Sequence, residues 1–226
     1  MKFIAIPLGT FWMGSRTDED PPSDWEPLRE VTLPLSFEIA DAPVTQAQWE
    51  KLMANNPSHF QDSGSGAPVE NVTWDEAVYF CKTASQRSPL WDYSLPTEAQ
   101  WEYACRAGTT GPWNVDGMVL RQLGWYAENS KGRTHPVRQK QPNAWGLYDC
   151  HGNVFEWCAD PFADKFDSTS ITAPKGFING EGVARVLRRG AWTMERRECR
   201  SASRDWHWSD SRGISIGFRL IRTPKS

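Results

Sequence analysis

The chain has 226 residues, of which 39% are hydrophobic, and its formal net charge is −3 at pH 7. This length favours one large domain over two, so we predict a single domain over residues 1–226. The small charge gives no electrostatic reason to expect nucleic acid or an anionic membrane as a partner. No run approaches the roughly 18 apolar residues of a membrane span. The first residues lack the features of a signal peptide, and we expect a cytoplasmic location.

Short strands are predicted before the first helix. Apolar residues alternate with polar ones, or form brief apolar runs, in FIAI, TFWM, REVTL and FEI, at residues 3–6, 10–13, 29–33 and 37–39. Such runs, bounded by Gly, Pro, Asp and Ser, are typical of strands.

Three helices are predicted in the first half of the chain, at residues 45–53, 73–81 and 97–105. Each segment opens with a threonine that has Gln or Glu three residues later, followed by apolar residues at helical spacing. This pattern is a capping box followed by a core-facing stripe. Gly108 is expected to end the third helix.

The second half of the chain has a different residue pattern. After residue 109 helical periodicity disappears, and Gly, Pro, Asn, Asp and Ser interrupt short segments. Strands are predicted at 183–189 and 214–221, whereas 193–215 shows no clear strand or helix pattern. Few helices, short strands and long ordered loops predict an α+β fold with little regular secondary structure.

Five cysteines and four histidines are scattered along the chain. No CxxC pair or HExxH spacing is present, so neither a zinc site nor a thiol redox motif is indicated. Cys81, Cys105 and Cys150 lie within apolar patterns, which predicts buried free thiols.

The segment HGNVFEW, residues 151–157, places polar side chains among large apolar ones. An unpaired polar group in a protein core costs roughly 1–3 kcal/mol. These polar side chains must therefore be hydrogen-bonded, bound to an ion or catalytic.

Motifs along nearly the whole chain resemble one family. They occur in the order IPLGTFWMGS, APVTQAQWEKLM, PVENVTWDEAVYFC, SLPTEAQWEYACRAG, QPNAWGLYDCHGNVFEW, RVLRRGAW and IGFRL. Together they resemble the formylglycine-generating enzyme (sulfatase-modifying factor) family, whose fold is a variant of the C-type lectin fold. The resemblance implies a fold and does not by itself give a function.

The resemblance implies a structural calcium site at HGNVFEW. Its ligands would be Asp149, the carbonyls of Gly152 and Val154, and the carboxylate of Glu156. Calcium favours such a mixture of carboxylate and main-chain oxygens. The alternative is that Glu156 and Asn153 cap backbone groups in a buried turn.

A second calcium site of the family would fall near ENSKGRTHPV, residues 128–137. Asn129 and the carbonyl of Ser130 match its first ligands. The loop is short here and lacks the later acidic ligand.

Catalysis in the family resembles a copper–thiolate oxidase, in which two cysteines bind Cu(I) and the metal activates oxygen to convert a substrate cysteine to formylglycine. The resemblance places Met194 at the first cysteine and Cys199, the one candidate catalytic residue, at the second. Ala191 falls at an active-site serine, and Phe155 replaces a tryptophan of the substrate cleft. These departures argue against the oxidase reaction and against copper as a cofactor.

The polar segment 193–215 resembles the part that varies in the variable proteins of diversity-generating retroelements, which share this fold. Exposed Trp and Arg are enriched in binding hot spots. The alternative is a plain ordered loop with Arg200 and Arg204 in internal salt bridges. The candidate binding residues are Phe155, Arg196, Arg197, Ser203, Asp205, Trp206, His207, Trp208, Ser209 and Ser211.

The sequence thus favours a calcium-stabilised domain that binds a protein, a peptide or a small molecule. A copper-dependent oxidase acting on a cysteine or a related substrate is the alternative.

Overall fold

The computed structural model describes residues 1–16, 19, 25–114, 120–163, 178–179, 182–188 and 190–225. Within these residues no helix is long and apolar enough to cross a membrane.

All three predicted helices are present: α1 (Gln46–Met53), α2 (Trp74–Arg87) and α3 (Glu98–Arg106). Each begins after its threonine with a complete capping box, in which the threonine side chain and the Gln or Glu side chain each accept a backbone N–H. Helix α2 is longer than predicted. Helix α3 ends at Arg106, and its C-cap is Ala107, with a left-handed φ of 48°, one residue before the expected Gly108.

The first sheet joins the two ends of the described chain. It has the order β1 (Phe3–Ile6), β4 (Phe37–Ala40), β11 (Ile221–Pro224) and β5 (Trp91–Ser94), with antiparallel pairing throughout. A separate two-stranded sheet pairs β2 (Gly9–Met13) with β3 (Arg29–Leu33). The four early strands confirm the sequence prediction.

The second large sheet carries the C-terminal half. Its order is β10 (Ile216–Gly217), β6 (Phe155–Pro161), β8 (Gly182–Arg188) and β7 (Ile178–Asn179), and β9 (Arg204–Trp208) also pairs with β8. Strand β8 confirms the predicted strand at 183–189, of which Arg189 lies outside the described residues.

Two expectations about the C-terminal segments were wrong. The predicted strand at 214–221 is two strands in different sheets, β10 and β11, because the chain crosses from one sheet to the other at residues 218–220. Segment 193–215 contains β9, which alternates Asp205 and His207 with two tryptophans and is held by pairing with β8.

Two large hydrophobic clusters form the core. The first lies around Trp49, Phe80, Trp157 and Phe218. The second lies around residues such as Trp101 of α3 and Phe162. All five cysteines are buried and outside any disulfide, which confirms the prediction for Cys81, Cys105 and Cys150 and extends it to the other two.

Candidate functional site

His151 of the HGNVFEW segment is a buried link between two loops. Its Nε2 accepts the N–H of Asn114 at 3.2 Å, so its Nδ1 carries the proton and donates to the carbonyl of Cys199 at 3.0 Å. Burial lowers the pKa of His151 to about 4. The imidazole is therefore neutral at pH 7 and holds loop 111–114 against residue 199.

Glu156 is paired with an arginine. Arg219 donates to its Oε2 from Nε at 2.6 Å and to its Oε1 from Nη2 at 2.7 Å. The indole N–H of Trp101 donates to Oε2 at 2.7 Å. Both carboxylate oxygens are satisfied and the charge is balanced, so in this arrangement Glu156 does not fit a calcium ligand.

Asn153 caps backbone groups, as the alternative to calcium expected. Its Oδ1 accepts the N–H of His135 at 3.0 Å, and its Nδ2 donates to the carbonyl of the same residue at 2.9 Å. The side chain therefore fixes the loop around residue 135 against the HGNVFEW turn.

Asp149 is buried and only partly satisfied. Its Oδ2 accepts the N–H of Arg138 at 2.8 Å, whereas its Oδ1 has no hydrogen-bond partner. Burial raises the pKa of Asp149 to about 6. The carbonyl of Gly152, another expected ligand, accepts the N–H of Val154. Of the two carboxylates expected as ligands, Asp149 alone has an oxygen without a partner. The geometry by itself does not test calcium binding at this segment.

The residues expected at the second calcium site also make hydrogen bonds within the protein. Asn129 accepts the N–H of Tyr126 at 2.8 Å through Oδ1 and donates to the carbonyl of Gly124 through Nδ2. The Ser130 carbonyl accepts from Nε2 of His135 at 2.6 Å. Within the described part of the chain, no three His, Cys, Asp or Glu side chains are grouped so that they could hold a metal ion.

Cys199 has no exposed surface. Its relative exposure is 0%, and its Sγ donates to the carbonyl of Glu195 at 3.5 Å. It packs in a small cluster with Leu120, Leu123 and Tyr126, against which Met194 and Trp113 lie. The structure thus brings the two residues expected at the family's cysteines into one cluster.

Phe155 and Ala191 belong to a different cluster from Cys199, although Met194 packs against both clusters. Both belong to the first large hydrophobic cluster, together with Trp157 and Leu187. Phe155 is buried, so its ring is not a ready contact surface for a ligand.

An open pocket of about 600 Å³, here called the Trp113 pocket, lies next to the segment that ends at Cys199. Its lining includes Trp113, Glu128 and the exposed residues Glu195, Arg196 and Arg197. The Arg196 guanidinium lies 5.1 Å from the centre of the Trp113 ring, and the indole N–H of Trp113 has no partner. The pocket therefore offers an aromatic surface with charged groups of both signs.

Two of the expected binding residues, Arg196 and Arg197, thus line a pocket. The loop that completes it, residues 110–113, was missed. A tryptophan between Gly, Pro and Asn was the available signal, because a loop tryptophan is common at binding surfaces.

The two tryptophans of β9 face the same side of the strand, as their spacing predicts. Their rings lie 5.1 Å apart in a T-shaped contact, and Trp206 also contacts Phe162. Both are half-buried and pack against the second core cluster. Asp205 and His207 accept the N–H groups of the tryptophans that follow them, at 2.9 and 3.0 Å.

Arg200 and Arg204 form the internal salt bridges that the alternative interpretation expected. Buried Arg200 pairs with Glu19 and Glu26, and buried Arg204 pairs with Glu98 at 2.6 Å. This part of the segment is therefore anchored in the core.

The three serines among the candidate binding residues are not freely exposed. Ser203 is buried, and its hydroxyl has no partner. The backbone N–H groups of Ser209 and Ser211 donate to Val183 and Trp208, each at 3.0 Å. Both of these residues are half-buried.

Comparison with known proteins identifies the family of this chain. The family model described as "Sulfatase-modifying factor enzyme 1-like domain" matches residues 1–224. The formylglycine-generating enzyme of Streptomyces coelicolor is 36% identical over 170 residues, which cover 67% of this chain and 51% of that protein. The chain spans about half the length of the first curated relatives it matches.

Two solved structures share the fold. Treponema denticola variable protein 1 superposes with a TM-score of 0.82 at 30% identity, covering 97% of this chain and 94% of that one. PvdO from Pseudomonas aeruginosa gives a TM-score of 0.83 at 26% identity, covering 97% and 93%. The fold is thus the predicted C-type lectin-like fold, and the chain belongs to the family of sulfatase-modifying factor enzyme 1-like domains.

Proposed function

We propose that this domain is a binding member of its family that does not carry out the formylglycine-forming oxidation. Its ligand, a protein or peptide segment or a small molecule, would occupy the Trp113 pocket and contact the exposed part of segment 193–198. Similarity to a protein named a variable protein supports a binding role on this fold.

The observation that carries this proposal is the burial of Cys199. A thiol must reach its metal or substrate as an accessible thiolate. Here the Sγ of Cys199 is enclosed by Leu120, Leu123 and Tyr126 and donates to a backbone carbonyl. The position of the first family cysteine is held by Met194, whose thioether cannot form a thiolate.

The lining of the pocket supports binding of a polar partner. Arg196 and Arg197 are exposed, and Arg197 pairs at 3.1 Å with Glu195, whose side chain is equally exposed. Exposed pairs of this kind contribute little to stability. Their side chains can therefore exchange partners when a ligand enters. The arginine and the tryptophan are among the residue types most enriched in hot spots.

Two measurements test the proposal together. A sulfatase-type cysteine peptide incubated with the protein, Cu(I) and oxygen should form no formylglycine, as measured by mass spectrometry. Peptides selected on the wild-type protein from a displayed random library should lose about tenfold or more in affinity for the double variant R196A/R197A. The matched control is K82A, which removes an exposed cation on α2.

If the wild type oxidises the peptide and C199S does not, the domain is an oxidase and the proposal is wrong. Selected peptides that bind R196A/R197A as tightly as the wild type would move the binding site away from the Trp113 pocket.

A further inference from the structure

A second pocket of about 600 Å³ shares no lining residue with the Trp113 pocket. It opens between the C-terminal ends of α1 and α2 and the sheet that contains β1, β5 and β11. We call it the helix-end groove. Its lining includes Phe3, Lys51, Leu52, Phe80, Arg87 and Tyr93.

The inner surface of the helix-end groove is apolar and aromatic. Phe80 and Leu220 reach it from the first core cluster and are only 3% and 2% exposed. Phe3, Leu52 and Tyr93 are half-buried and pack against the same cluster. The rings of Phe3 and Tyr93 lie 5.8 Å apart. A flat apolar group entering the groove would therefore meet ring surface.

Three cationic side chains line the groove, and one of them is already paired with an acid. Arg222 donates from Nε to Glu38 at 2.6 Å, and its guanidinium stacks on Phe3 and Trp91 at 4.3 and 4.0 Å. Glu38 balances the charge of Arg222, and the two aromatic rings cover the planar face of its guanidinium. Arg222 completes the wall of the groove and does not offer a free charge.

The other two cations are not compensated by an acid. Arg87 is exposed, and its contact is a long 3.5 Å hydrogen bond to the carbonyl of Leu52. Lys51 is exposed and makes no hydrogen bond or ion pair within the described part of the chain. No Asp or Glu is among the described residues that line the groove.

Helix polarity explains part of this arrangement. Lys51 lies in the last turn of α1 and Arg87 ends α2, where cations stabilise the partial negative charge of a helix C-terminus. Helix polarity does not explain why an open aromatic pocket lies between the two cations. Small-molecule sites combine an apolar lining with a few polar groups in this way.

We propose that the helix-end groove binds a small aromatic carboxylate. The ring packs against Phe3, Tyr93 and Leu52, and the carboxylate lies between Lys51 and Arg87. The negative charge adds affinity because Lys51 and Arg87 have no acidic partner among the described residues that line the groove. This site is independent of the function proposed for the Trp113 pocket.

The test compares naphthylacetate with naphthylacetamide, which has the same ring and no charge. We expect calorimetric titration of the wild-type protein to give tighter binding of the acid. In the double variant K51Q/R87Q the acid should lose about tenfold in affinity and the amide should be unaffected. The control K82Q removes another exposed cation of α2 that does not line the groove and should change neither affinity.

A second variant tests the location of the site. Ala84 is half-buried and lines the groove, so A84F should abolish binding of both compounds by filling it. Backbone amide NMR should show shifts at Phe3, Leu52 and Tyr93 when naphthylacetate is added to the wild type. Equal affinities for acid and amide, no binding at millimolar concentration, or shifts confined to residues 110–113 and 195–197 would overturn the proposal.

Discussion

Arg219 holds both carboxylate oxygens of Glu156 and is itself completely enclosed by protein. Glu156 lies on β6, and Arg219 lies in the crossing between β10 and β11. The pair therefore connects the two large sheets. Arg219 also donates to the carbonyl of Tyr148 at 3.0 Å, which fixes the chain just before the HGNVFEW segment.

Breaking this pair should destabilise the protein strongly. In R219M the carboxylate of Glu156 would be buried without its counter-charge, and removal of one partner of a buried pair costs about 3–5 kcal/mol. Urea unfolding measures the change. The control is R197A, whose pair with Glu195 is exposed and whose free energy of unfolding should stay close to that of the wild type. A small effect of R219M would mean that the pair is not formed in solution.

Calcium removal tests the arrangement at Glu156 directly. Because Arg219 already balances this carboxylate, we expect the melting temperature to be the same in a chelator and in excess calcium. A ligand that binds only the folded state raises the melting temperature as its concentration rises. A calcium-dependent rise that is lost in E156A would contradict our expectation and establish the calcium site inferred from the family resemblance.

The neutral His151 should make the protein less stable in acid. The unfolded chain takes up a proton on this residue near its ordinary pKa of 6.5, whereas the folded protein resists protonation down to about pH 4. Acidification between these values therefore favours unfolding, by up to about 3 kcal/mol. The raised pKa of Asp149 acts in the opposite direction, so the measurement is the difference between wild type and H151Q.

The difference in free energy of unfolding between wild type and H151Q should be constant above pH 7. Between pH 6.5 and pH 4 the wild type should lose stability relative to H151Q. We expect H151Q to be less stable than the wild type at neutral pH, because it loses one of the two hydrogen bonds to Asn114 and Cys199. A difference that is the same at every pH would show that His151 has the same pKa in the folded protein as in the unfolded chain.

The sequence predicted features whose causes are local and missed those that depend on distant partners. The three helix starts were correct because a capping box involves residues three positions apart. The sequence also indicated that the polar groups of HGNVFEW must be paired. It did not indicate their partners, because Arg219 lies 63 residues from Glu156 along the chain. Likewise, an apolar run such as 214–221 contains no local signal for a crossing between sheets.

Trp206 and Trp208 test whether β9 is a binding surface or part of the structure. Trp206 packs on Phe162 and on Trp208, so W206A should cost about 2 kcal/mol of stability, less than a fully buried tryptophan. The control W12A removes a tryptophan that is 55% exposed on β2 and should cost little. Unchanged stability of W206A together with lost ligand binding would favour the display surface that the sequence suggested.

Because of the titration of Glu70, the free energy of unfolding should fall as the pH rises. Glu70 is completely buried, its Oε1 accepts the N–H of Phe60 at 2.8 Å, and its Oε2 has no partner. Burial raises its pKa from 4.5 to about 7. Between these values the unfolded chain releases a proton that the folded protein retains, so rising pH favours unfolding by up to about 3 kcal/mol.

The variant E70Q removes this titration and keeps an oxygen for the N–H of Phe60. Urea unfolding at pH 4.5, 6 and 8 should show E70Q gaining stability relative to the wild type as the pH rises, with the gain levelling off above about pH 7. The control E128Q, at an exposed position of the Trp113 pocket, should show no such trend. A gain that does not depend on pH would mean that Glu70 is ionised normally in the folded protein and that water reaches its second oxygen.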